Sequence, residues 1–186
     1  MLGEEFPEVL RAALDGDENA FARLYRDAHP PLLRYLTTLS PQYAEDAASE
    51  TWLELARSRD TFAGPELGFR AWLFSVARHK VVDRVRYEAR RPSTPSDDLE
   101  PLGSTSPDVA DRVVEDDATA RALALVRTLP PDQAEAVLLR VMAGLDYPEV
   151  AQVMDRSTGA VRVLVHRGLR RLQDRLPSVA ADGVTR

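Results

Sequence analysis

An all-α fold, with two small helical domains joined by a flexible acidic linker and a helix-turn-helix in the second, is what this sequence predicts. Three observations carry that expectation. Apolar residues recur at helical spacing through residues 1–91 and again through 112–177, and no stretch alternates convincingly with the period of two that a strand requires. Between them, PSTPSDDLEPLGSTSPDV (92–109) is dominated by Pro, Ser, Asp and Gly, and the apolar period is lost. Charge is also segregated: the chain carries a net −6, yet two helical segments are strongly basic. The boundaries read as a first domain at 1–91, a linker at 92–111, a second domain at 112–177 and a disordered tail at 178–186.

The elements follow in order. Phe6, Val9, Leu10, Ala13 and Leu14 share one helical face, and Gly16 ends that run. Asp17 caps a second helix with Ala20, Phe21, Leu24, Tyr25 and Ala28 on one side. Pro30–Pro31 is expected to break or kink it, making His29 a helix-end residue. A third helix starts at Ser40–Pro41 and runs to about Ser58. It buries Ala44, Ala47, Ala48, Thr51, Trp52 and Leu55. After the turn DTFAGPELG comes a basic helix, Phe69–Arg91. Beyond the linker the expected helices are Val113–Val126, Asp132–Ala143 and Tyr147–Met154, the last with Pro148 in its first turn. Asp155–Arg156–Ser157 is a tight turn, and a final helix begins at Thr158.

Composition removes several function classes. There is no cysteine, hence no disulfide, no thiol sensing and no Cys-ligated zinc. The three histidines, His29, His79 and His166, are scattered, and no Gly-rich phosphate loop appears, so neither a metal nor a cofactor nor catalysis is expected. No apolar run approaches the roughly 20 residues that span a bilayer, and the N-terminus lacks the layout of a signal peptide. A cytoplasmic protein without membrane insertion is expected.

Three constellations remain. Residues 69–91 hold seven Lys/Arg against two acids, and 156–175 hold six Arg against one. Such local positive charge in an acidic chain suits phosphates. In the first basic helix Trp72, His79, Lys80 and Arg86 share a face away from the core stripe, and Phe62 lies in the preceding loop. Aromatics among cations suit unpaired DNA, where bases stack and phosphates are neutralised. Trp72 is equally accounted for as a core residue. In the last helix Arg162, Val163, His166, Arg167 and Arg170 face away from the buried side and can enter a major groove. Ser157 and Thr158 stand at its N-terminus, where a phosphate can bind. The third helix sets Leu53 among Asp46, Ser49 and Glu50 on its outer face. That is the pattern of a contact hot spot, or of ordinary surface charge.

Together these segments resemble bacterial extracytoplasmic-function (ECF) RNA polymerase sigma factors of the smallest sigma class. AEDAASETWLELA is similar to the family's core-binding motif, with Glu45, Asp46, Glu50, Thr51 and Trp52 in the recurrent places. FRAWLFSVARHKVVDRVR resembles the segment that opens and reads the promoter −10 element. LDYPEVAQVMDRSTGAVRVLVHRGLRRL resembles the −35-reading helix-turn-helix. Ser49 stands where the family often has Gln, His79 where it often has Asn, and Arg162–Val163–Leu164 where a Lys/Arg–Ser–Arg run is common. The resemblance implies three partners: core RNA polymerase, bound through Asp46, Ser49, Glu50 and Leu53; promoter DNA; and an anti-sigma factor. It also implies that the linker runs through polymerase channels, where the eight acids of 92–118 would mimic nucleic-acid charge. A stand-alone helix-turn-helix regulator is the competing reading. The charge segregation further allows a compact free state in which the basic helices fold onto the acidic linker.

Overall fold

The computed structural model describes residues 1–57, 65–90 and 117–175, and among these the only regular elements are helices. The expected linker, the Phe62 loop and the tail lie outside the described residues. The first half is built from α1 (Phe6–Leu14), α2 (Glu18–Leu39), α3 (Ala44–Arg57) and α4 (Glu66–Ala89). Asp17 caps α2, its carboxylate accepting from the Ala20 N–H at 2.9 Å. α2 packs against α1, α3 and α4 and supplies Leu24, Ala28, Leu32, Tyr35 and Leu36 to the core. Phe6, Leu55, Phe69, Leu73, Phe74 and Val81 complete it. α3 buries the six residues its periodicity predicts, and Asp46, Ser49, Glu50 and Leu53 are exposed opposite. Its entry is a 3-10 turn at Pro41–Tyr43.

One expectation is corrected. α2 runs unbroken through Pro30 and Pro31. The two missing N–H donors cost helix hydrogen bonds, but burial flanks the site on both sides, and each leucine removed from water contributes about 1.5–3 kcal/mol. Packing therefore wins over local propensity. His29 is consequently not at a helix end. Its ring stacks on Tyr25 with centroids 4.3 Å apart, and its Nδ1 accepts the Trp52 indole N–H at 3.2 Å.

That contact has a pH signature. Burial lowers the His29 pKa from the ordinary 6.5, with the Glu45 charge opposing. The unfolded chain therefore takes up the proton first as pH falls through 6.5, and stability drops across that window toward the lower folded value. Urea unfolding at pH 7.5 and 5.5 is expected to show a drop in stability in the native chain that is smaller in a His29→Phe variant; an equal drop in both would contradict it.

The second half comprises α5 (Asp117–Val126), α6 (Pro131–Val141), α7 (Tyr147–Met154) and α8 (Thr158–Gln173). α6 and α7 both pack on α8. The α6–α8 crossing is close because Gly168 has no side chain: a Cβ there would lie 2.7 Å from Val137 Cγ2. α7 ends in a left-handed Asp155 (φ 52°), which turns the chain sharply into α8. The halves also meet, α4 against α7 and α2 against α6. At that junction Glu135, buried on α6, accepts from the Tyr35 hydroxyl at 2.8 Å and the Arg78 Nε at 2.7 Å. Burial works against the Arg78 charge, but the hydrogen bond and negative charge of Glu135 outweigh it and raise the Arg78 pKa. Burial, then Glu135, pushes the Tyr35 phenol well above its ordinary value.

Candidate nucleic-acid interface

The helix-turn-helix is assembled by local signals. Asp146 and Glu149 form a reciprocal capping box that starts α7, each side chain accepting the other's backbone N–H at 2.8 Å. Ser157 starts α8, its Oγ accepting from the Ala160 N–H at 3.2 Å. The Ser157 hydroxyl therefore caps the helix, and Thr158 beside it is half-buried. Val161, Val165 and Gly168 are buried, with Leu164 and Leu172 half-buried beside them. Arg162, Val163, His166, Arg167 and Arg170 are all exposed, Val163 at 47%. α8 thus presents one continuous basic face, with an apolar side chain of a size to meet a thymine methyl.

The remaining arginines of this segment have internal work. Arg171 donates to the Gln133 side chain at 2.9 Å, Arg156 pairs with Asp132 at 3.0 Å, and Arg175 reaches the Thr128 carbonyl at 3.1 Å. Arg162 stacks over the Tyr147 ring, 5.5 Å from its centroid. Periodicity gives no hint of that platform, because residue spacing reports burial, not the identity of the neighbour.

On α4, Trp72, His79 and Arg86 recur every seven residues and so share a stripe. His79 and Arg86 are exposed; Trp72 is half-buried, stacked 6.2 Å from Phe69. Lys80 departs from that stripe. Its Nζ pairs with Glu54 at 2.7 Å and lies 3.8 Å from Glu50, both on α3. It lines a cleft of about 520 Å³ between α3 and α4, together with Asp46, Glu50, Asp83, Arg84 and Tyr87. The acidic face of α3 and the basic face of α4 are therefore neighbours joined by Lys80. Sequence reasoning missed Glu54 and the Tyr35–Arg78–Glu135 cluster. The latter joins residues 57 and 100 positions apart, and no local pattern reports such a pairing.

This surface can bind and position anions. Among the described residues no group of His, Asp or Glu is arranged to hold a metal ion. Nor is any described helix long and apolar enough to cross a membrane.

Comparison with known proteins fits the two basic faces. Residues 24–91 match the family described as Sigma-70 region 2, and residues 119–172 match Sigma-70, region 4. The ECF RNA polymerase sigma factor SigD of Mycobacterium tuberculosis is 32% identical over 182 residues, spanning 95% of this chain and 86% of SigD. The ECF sigma factor BldN of Streptomyces coelicolor is 33% identical over 175 residues, spanning 93% of this chain and 66% of BldN. Two solved structures share the fold. CnrH, in complex with the cytosolic domain of CnrY, has a TM-score of 0.58 at 23% identity, covering 94% of this chain and 99% of that one. RpoE of Bartonella quintana, in complex with the anti-sigma factor NepR, has 0.58 at 24%, covering 83% and 94%.

Proposed function

Since the chain belongs to the ECF RNA polymerase sigma factors, binding core polymerase and directing promoter recognition and initiation, we propose how its surfaces divide that work. Residues 1–91 act as one unit. Asp46, Ser49, Glu50 and Leu53 on α3 form the polymerase-binding face, and Phe62, Trp72, His79, Lys80 and Arg86 take the −10 element as it opens. Residues 92–111 link this unit to 112–177, in which Ser157, Thr158, Arg162, Val163, His166, Arg167 and Arg170 read the −35 duplex. The factor breaks no bonds. Its work is differential binding, with opened promoter DNA held better than closed, and it is done in the cytoplasm with polymerase.

The observation that carries this reading is the exposure of two separate basic faces on one acidic chain, each backed by a packed apolar stripe. A stand-alone regulator would leave the α3 face and the α4 stripe without a role. The solved complexes of CnrH with CnrY and of RpoE with NepR support a restraining anti-sigma partner for this chain also.

The test is run-off transcription from a pool of genomic promoter fragments, with purified core polymerase, with and without the factor. Discrete new transcripts, aligned by start site, would give both promoter elements. No transcripts, with duplex binding in the absence of polymerase, would overturn the reading in favour of the stand-alone regulator.

A further inference from the structure

Tyr147 carries two guanidinium groups against one ring: Arg140 Cζ lies 5.4 Å and Arg162 Cζ 5.5 Å from its centroid. The ring is well anchored. Tyr147 is the first residue of α7, directly after the N-cap Asp146 and within the capping box that Asp146 forms with Glu149, and Arg140 is itself tied to the Leu145 carbonyl at 3.3 Å. Arg162, by contrast, sits exposed in the first turns of α8 on a long side chain that otherwise samples many rotamers. Stacking on a fixed aromatic face selects among those rotamers before DNA arrives. We propose that Tyr147 is a positioning residue for −35 recognition, holding the Arg162 guanidinium at the groove-facing surface. This rests on the assignment of Arg162 to the −35 duplex.

The test uses the holoenzyme and a promoter fragment mapped by run-off transcription. Tyr147→Leu is expected to weaken promoter binding roughly three- to tenfold, while Tyr147→Phe, which keeps the ring, stays within about twofold. In an Arg162→Ala background, Tyr147→Leu should add nothing. Additive losses, or a Phe variant as weak as the Leu variant, would show that the ring does not act through Arg162. An Arg162→Ala variant that binds like the native factor overturns the assignment of Arg162 and the platform with it. Matched urea midpoints exclude simple unfolding.

Discussion

Leu53→Asp is expected to weaken binding to core polymerase about 30- to 1,000-fold while leaving the factor folded. Leu53 is 53% exposed on α3, and Asp46, Ser49 and Glu50 are exposed around it. A leucine left in water contributes nothing to folding; buried in a partner it contributes about 1.5–3 kcal/mol. Aspartate removes that contribution and also carries a charge into the dry centre of the contact, which together reach the roughly 2–4 kcal/mol of a hot spot. The charged neighbours behave differently. Glu50 is exposed and would act as a rim charge, so Glu50→Gln should change affinity only a few-fold, and mostly at low salt. It also sits 3.8 Å from Lys80, but Glu54 at 2.7 Å remains to hold that ammonium when Glu50 is neutralised. Stability should move by less than about 0.5 kcal/mol in either variant, because the face that α3 buries, including Trp52 and Leu55, is untouched. Titrating labelled factor with core polymerase is the measurement. A Leu53→Asp variant that binds as tightly as the native chain would remove α3 from the interface.

Periodicity makes α3 and α8 legible in the sequence, because each buries one face and exposes the other at helical spacing. Turn chemistry does the same for α7: Asp146, Pro148 and Asp155–Ser157 bracket it, and the capping box lies between Asp146 and Glu149. The same local logic fails at Pro30–Pro31, where the tertiary contacts of Ala28, Leu32 and Tyr35 outweigh a strong local preference. It is silent on contacts between elements. His29 meets Trp52, Tyr147 meets Arg162 and Glu135 meets Arg78, yet each reads in isolation as an ordinary helical residue. A helical wheel states which way a side chain points. What it then touches is set by helix crossings, such as the close approach that Gly168 permits between α8 and α6.

Arg162, Arg167 and Arg170 together replaced by alanine are expected to lower promoter affinity by about three orders of magnitude at moderate salt and to flatten its salt dependence. Each phosphate neutralised contributes about 0.9 to the slope of log K against log salt. If all three meet phosphates the slope falls by about 2.7, and any that reads a base edge lowers discrimination instead of slope. Val163→Ala separates the two effects, because a methyl contact carries sequence preference but no charge: affinity for the mapped −35 element falls a few-fold and the slope stays. Arg156, Arg171 and Arg175 are the internal control. They lie in the same basic segment, but Asp132, Gln133 and Thr128 hold them against the domain. Replacing them should lower the urea midpoint and leave the salt slope nearly unchanged. If all six arginines contributed alike to the slope, the segment would be a diffuse cationic surface and not a reading helix. The prediction therefore turns on geometry, since both groups of arginines have the same charge and differ only in what they face.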